Sequence, residues 1–304
     1  MTAIDATEAS VVPADGVLGE PDGSPVRAGR AALRRYLASG QILTGAILLL
    51  VVAAIAVFGG LVAPHSITDT VGGPYAAPNP EALLGTDKLG RDVFSRVLAG
   101  GIYLAWMAPL AALLATVGGT AIGMVAAYFG SWTDVIAARV LDVVLAFPGL
   151  LLTLLFVAMI GPEPWLLVLL VALGLTPGQA RIMRGMTLSL IDREYVLWAR
   201  ANGTPGAIII FRELLPNVTS PLFIEFGIRL TWAVGTLSSM SFLGYGIQAP
   251  AADWGLMVSE NFNGLSTQPL AVIAPMAMII LLTVALNLVA EGAARVTART
   301  EGGH

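Results

Sequence analysis

The chain has 304 residues, of which 56% are hydrophobic and only 12% charged, with a mean hydropathy of +0.81. A soluble domain carries about 25% charged residues, so this composition excludes an ordinary soluble globule and points to several membrane spans. With no cysteine, disulfide, thiolate-metal and iron–sulfur chemistry are excluded, and the net charge of −4 says little, because membrane topology follows Lys and Arg placement.

In chain order, Met1–Pro25 is small, polar and acidic (Asp5, Glu8, Asp15, Glu20, Asp22) and is predicted to be disordered. Arg27, Arg30, Arg34 and Arg35 form a basic collar that completes a tail over residues 1–40. The apolar run Ile42–Ala63 reaches the about 20 residues a spanning helix needs. It is too long for a signal-peptide core and follows too acidic a tail, so residues 41–63 read as an uncleaved first span. Residues 64–101 follow as an extracytoplasmic segment. Further spans are predicted at Ile102–Phe129, Val135–Ile160, Trp165–Ala180, Pro221–Phe242 and Leu270–Ala290. They define a core over residues 102–293, with residues 294–304 as a C-terminal tail. Lipid offers bare backbone no partners, so these runs are helices, and the fold class is an all-α integral membrane protein with six transmembrane helices.

Arginine placement orients the set. The collar precedes span one, Arg181, Arg184, Arg193, Arg200 and Arg212 lie between spans four and five, and Arg295 and Arg299 follow span six. Gly246–Ala290 contains no Lys or Arg. The N-terminus, the large loop and the C-terminus are therefore expected on the cytoplasmic side. Lys88, Arg91 and Arg96 fall outside, accompanied by Asp87 and Asp92, which suggests a folded segment there.

The interval Arg184–Asn217 reads as two short helices around a glycine. Asp192–Ala201 places Ile191, Tyr195 and Trp198 on one face and Arg193 and Arg200 on the other. Asn202-Gly203 is a helix stop, Thr204 an expected N-cap and Pro205 an expected first helical residue. A helix Gly206–Leu215 follows, closed by Pro216. By composition this is either a protrusion that enters a cleft or a helical hairpin lying on the lipid surface.

No P-loop is possible: Lys88 is the only lysine, and it lacks both the preceding glycine and the following Ser/Thr. His65 and His304 are too few and too far apart for a metal or catalytic cluster, so no catalytic or metal site is expected. Glu225 and Arg229 share a helical face inside span five. They read either as lining for a translocation route or as an interhelical ion pair, and Arg139 with Asp142 admits the same two readings. Gly119 and Gly123 have close-packing spacing, against another helix or a partner subunit. The polar stretch Pro74–Asp92 is either a contact or gating element or a lid over the outer helix ends.

Several separated motifs carry a resemblance. The loop, with Gly203 and Leu215-Pro216, resembles the cytoplasmic "EAA" motif of permease subunits of ATP-binding-cassette importers. LGTDKLGRDVFSR (Leu84–Arg96), DVVLAFPGLLL (Asp142–Leu152) and SFLGYGIQAPAADWGLM (Ser241–Met257) are similar to segments of the dipeptide/oligopeptide/nickel class, in particular the C-type member of a two-permease pair. The likeness spans roughly residues 40–293. Leu197-Trp198-Ala199 stands where Glu-Ala-Ala is frequent, Glu213 where histidine is frequent, and Ala249 where the first proline of a pair is usual.

The resemblance implies a type I importer permease fold with a cytoplasmic coupling loop. It also implies a second homologous permease, two ATPase subunits that bind ATP and Mg, and an extracytoplasmic binding lipoprotein, in a bacterial cytoplasmic membrane and without nucleic acid. ATPase coupling is expected at Glu194, Tyr195, Trp198, Ala199, Arg200, Gly203, Thr204, Ile209, Arg212, Leu215 and Pro216. Gating or binding-protein contact is expected at Asp87, Arg91, Asp92 and Trp254. The cargo implied is a short peptide, with nickel chelates, glutathione-like compounds or small glycans as alternatives. A secondary transporter, an intramembrane enzyme and a non-transporting scaffold are the rival readings.

Overall fold

The computed structural model describes residues 39–301, with side chains for residues 39–296. The acidic tail, the Arg27–Arg35 collar, the Arg299 side chain and His304 lie outside the described residues. The helices are α1 (Gly40–Val62), α2 (Val93–Ala99), α3 (Ile102–Phe129), α4 (Ser131–Leu145), α5 (Gly149–Ile160), α6 (Pro164–Leu188), α7 (Glu194–Ala201), α8 (Gly206–Asn217), α9 (Thr219–Phe242), α10 (Trp254–Asn261) and α11 (Leu270–Glu301). Among the described residues there is no strand beyond two isolated bridges, Thr70 with Arg91 and Thr86 with Asp92.

Four stretches are long and apolar enough to cross a membrane alone: α1, α2 running into α3, α6, and α11 as far as Val296. Two more qualify as bent pairs, α4 with α5 at 73° and α8 with α9 at 76°, giving up to six spans. The third predicted span is thus not one straight helix. It breaks over residues 146–148 because Pro148 lacks an N–H and pushes Phe147 out of the helical region. The fourth is longer than expected: α6 carries the helix through Arg181 and Arg184 to Leu188, which shortens the loop beyond it.

Helices α3 and α6 form the centre. Along α3, Ala108, Ala111, Ala112 and Ala115 are fully buried, small enough for helix backbones to approach closely, which is what drives association in lipid. A Cβ on Gly119 would lie 2.5 Å from Gln179 Cβ, and one on Gly123 would lie 2.4 Å from the Ala180 carbonyl oxygen. The glycine pair therefore seats α3 on α6 of the same chain, rather than on a partner subunit. α1 and α11 are the most exposed spans and pack on each other, with Gly45 against Leu288 and Gly292 against Ile42.

The helix ends lie in two groups. At one, the lid end, residues 64–92 fold across α2, α10 and the start of α11. At the other, the loop end, α7 and α8 pack beneath α3, α6 and α9.

Candidate functional site

At the loop end, α7 stops in a full Schellman turn. The Thr204 N–H donates to the Ala199 carbonyl at 3.1 Å, the Gly203 N–H to the Arg200 carbonyl at 3.0 Å, and Gly203 takes φ +74°. That left-handed conformation is why a glycine sits here. Thr204 is not the N-cap of the next helix. Pro205 occupies that position with no side-chain cap, and the helical residues begin at Gly206. Pro216 does not close α8 either, which passes through a π-helical turn over Ile210–Leu214 and ends at Asn217.

The hairpin is bolted to the spans by an apolar cluster of Met124, Met183, Val196, Ala199, Ile209, Ile210, Leu214 and Val218. The buried face of α7 is therefore Val196 and Ala199, while Tyr195 and Trp198 turn outward. Trp198 is 71% exposed and Phe211 70% exposed, so two large aromatics from the two arms are offered to whatever lies beyond. Arg200 stacks over Tyr128 of α3, 4.5 Å from its ring centre, and adds a cation–π tie between loop and span. Of the residues expected to couple, Glu194, Tyr195, Trp198, Arg200, Gly203, Arg212 and Pro216 are exposed and Thr204 and Leu215 half-buried. Ile209 is completely buried and Ala199 nearly so; they support the hairpin and cannot touch a docked protein directly.

At the lid end, the charges that break the cationic pattern gather into one ion-pair network, three cations around two carboxylates. Asp87 Oδ2 accepts from Arg96 Nη1 at 2.6 Å and Arg91 Nε at 2.7 Å. Glu260 Oε2 accepts from Arg96 Nη1 at 2.9 Å and Arg91 Nη2 at 3.0 Å, and Lys88 Nζ lies 3.6 Å from Glu260 Oε1. Burial alone would push the Asp87 carboxyl up. The backbone N–H groups of Arg91 and Leu89, with the Arg91 and Arg96 charges, outweigh it and hold the pKa below the ordinary range. Asp92 caps α2 by accepting from the Phe94 and Ser95 N–H groups; its Oδ2 also accepts from Ser95 Oγ at 2.5 Å and lies 3.4 Å from His65 Nδ1. Trp254 donates from Nε1 to the Val97 carbonyl at 2.7 Å. Asp87, Arg91, Asp92 and Trp254 are all buried, so they build the lid and present no side chain to an approaching protein.

Sequence reading missed Arg96, Glu260, Gln268 and Gln179 as structural polar residues. Gln268 donates to the carbonyls of Ala76 and Leu84, both at 3.1 Å, tying the lid to the start of α11. A signal for Glu260 existed: Lys88, Arg91 and Arg96 outnumber their local acids, and Glu260 is one of two acids, with Asp253, in the Lys/Arg-free stretch Gly246–Ala290.

Within the spans, Arg229 Nη2 donates to Glu225 Oε2 at 3.1 Å and Arg229 Nε to Gln179 Oε1 at 3.2 Å, so the predicted pair forms and bridges α9 to α6. The other predicted pair does not form. Asp142 accepts instead from Arg181 at 2.6 Å, and Asp134 takes a two-pronged bond from Arg184 at 2.5 and 2.7 Å. Among the described residues no three His, Asp or Glu side chains gather as a metal site.

Residues 119–300 match the family described as binding-protein-dependent transport system inner membrane component. The chain is 30% identical over 264 residues to the dipeptide transport system permease protein DppC of Alkalihalophilus pseudofirmus, covering 86% of this chain and 87% of that one. It is 33% identical over 261 residues to the glutathione transport system permease protein GsiD of Pectobacterium atrosepticum (85% and 87%) and 31% identical over 261 residues to GsiD of Escherichia coli O1:K1 (85% and 86%). The chain belongs to the family of binding-protein-dependent transport system inner membrane components: it is a permease, and hydrolysis of ATP is the work of separate subunits.

Proposed function

We propose that the chain is one permease of an ATP-driven importer for short peptides, with the α7–α8 hairpin as the element that receives force from the ATPase. The observation that carries this reading is the hairpin's construction. Its outer surface offers Trp198 and Phe211 together with Glu194, Arg200 and Arg212, and its inner surface is one apolar cluster with α3, α6 and α9. A push on the exposed arm is therefore delivered to the spans through close-packed side chains, because such packing transmits displacement rather than absorbing it. The loop end is then cytoplasmic, the lid end extracytoplasmic, and both termini cytoplasmic.

The remaining assembly is a second homologous permease, two ATPase subunits holding ATP and Mg, and a binding lipoprotein that delivers cargo at the lid. Dipeptides and oligopeptides are the first-choice cargo, with glutathione-like compounds next, since the relatives named above handle one or the other. Nickel chelates and small glycans are further alternatives. The test is ATP-dependent uptake by the reconstituted complex carrying Gly203→Pro, which forbids the left-handed turn and removes the N–H given to Arg200. Uptake should collapse while basal hydrolysis persists. Undiminished uptake would remove the hairpin from the mechanism.

A further inference from the structure

One face of the molecule carries features that neither lipid nor a dry helix interface accommodates. On α6, Gly174, Gly178, Arg181 and Gly185 recur at helical spacing and share a side. A Cβ built on Gly174 or Gly185 would meet nothing within 4 Å. Arg229 lies over Gly178, its Nη1 3.0 Å from where a Cβ would stand, and pairs with Glu225. Next along the strip, Arg181 pairs with Asp142, and their side chains are 57% and 52% exposed. Arg139 aligns with Asp142 on α4, Ala146 caps that helix, and the chain then leaves helical geometry before α5, with Ala146, Phe147, Pro148 and Gly149 all exposed.

Exposed non-helical backbone does not occur against lipid; it is covered by protein or it lines water. The half-exposed Arg181–Asp142 pair, beside the more buried Glu225–Arg229 pair, follows the same rule. Gln179 adds an independent sign. It is fully buried beside Arg229, its Oε1 is used by Arg229, and its Nε2 has no partner among the described residues. A buried amide nitrogen without a bond asks for an ordered water.

We propose that this face, formed by the glycine side of α6, the Glu225–Arg229 pair and the α4–α5 break, is the chain's water-filled wall of the translocation path. The Glu225–Arg229 pair then has two duties: it ties α9 to α6 and keeps a polar rim open to the lumen. A wall whose acids are each matched by an arginine suits a polar solute carrying both charges, as a peptide with free termini does. The inference rests on the importer reading for its purpose, but its geometry can be tested separately.

The chain contains no cysteine, so single-cysteine variants report without background. In the assembled, reconstituted complex, Gly174→Cys and Ala146→Cys should react with a charged, membrane-impermeant methanethiosulfonate. The rate should exceed that of Phe58→Cys or Leu50→Cys, on the outward face of α1, by about tenfold or more, because apolar surroundings suppress the thiolate. Gly174 has room for the new side chain, and modification there should also block uptake. Reaction only after the subunits are separated would mean a dry subunit interface and would overturn the proposal, as would no reaction in either state, which would place the face against lipid. Uptake that ignores ATP in the unmodified complex would refute the importer reading instead, and the labelling pattern would still decide whether the face is wet.

Discussion

Arg96 Nη1 meets Glu260 Oε2 at 2.9 Å, joining α2 to α10 across 164 residues of chain. Arg96 is fully buried and Glu260 nearly so, and three cations (Lys88, Arg91, Arg96) share two anions (Asp87, Glu260). Removing one acid leaves buried positive charge uncompensated. Glu260→Ala should destabilise the lid end by about 3–5 kcal/mol, whereas the paired change Arg96→Met with Glu260→Leu should recover part of the loss. Unfolding midpoints of the purified complex, with the rate of proteolytic cutting within residues 64–92, measure both.

The same network sets an acid response. The Asp87 carboxyl has a folded-state pKa below its ordinary value. Its contribution is therefore complete above the unfolded-state pKa of about 4 and is lost as pH falls through the lower folded-state value. Proteolytic opening of residues 64–92 should rise as the medium is acidified below about pH 4, and Asp87→Asn should flatten that rise while lowering stability near neutrality. Asp253 acts in the other direction. Burial raises its pKa against the bonds it accepts from the Leu256 and Gly255 N–H groups and from Ser241. A raised carboxyl favours the fold below its unfolded-state pKa, and this contribution is lost as pH rises through the folded-state value. Asp253→Asn should therefore leave stability unchanged in acid and raise it at neutral pH, provided the asparagine still accepts from Leu256.

The α3–α6 seam predicts a sharp contrast between glycines six residues or fewer apart. A Cβ at Gly123 would fall 2.4 Å from the Ala180 oxygen and 2.9 Å from the Arg184 nitrogen, both backbone atoms that cannot step aside alone. Gly123→Ala should cost about 1–3 kcal/mol through forced separation of the two helices. Gly118, with nothing within 4 Å of its would-be Cβ, should accept alanine with no loss. Thermal aggregation midpoints in detergent would separate the two variants, and equal midpoints would mean that the seam is slack.

Much of this was legible in the residues because membrane spans are constrained by length and apolarity, and five predicted runs coincide with single helices to within a few residues at most of their ends. What the runs hid was a break: a hydropathy window over Val135–Ile160 averages across Pro148, where the chain bends between α4 and α5. At the loop, Asn202-Gly203 announced its turn correctly, since a left-handed residue at a helix end has few chemical solutions. Splitting α7 into a Tyr195–Trp198 side and an arginine side did not say which residues pack inward; these are Val196 and Ala199, fixed by contacts with Met124 and Met183 from distant helices, and they leave Trp198 outward. The lid network was invisible for another reason. Arg96 and Glu260 are paired by tertiary folding alone, and local spacing cannot report a partner so distant.

That outward aromatic supplies the last prediction. Trp198 is 71% exposed while Ile209, on the opposite arm, is fully enclosed by the cluster around Met124 and Met183. If the hairpin transmits force, its two surfaces should fail differently. Trp198→Ala removes a large exposed side chain and no interior packing, so the complex should keep its thermal stability, yet cargo-stimulated hydrolysis of ATP should fall severalfold through loss of an aromatic anchor worth about 2 kcal/mol or more. Ile209→Ala opens a cavity between loop and spans and should cost about 2–5 kcal/mol, lowering stability and coupling together. Measuring the unfolding midpoint and stimulated ATPase on the same preparations distinguishes the two. A Trp198→Ala complex that is stable and fully coupled would show that the exposed arm is not where the ATPase grips.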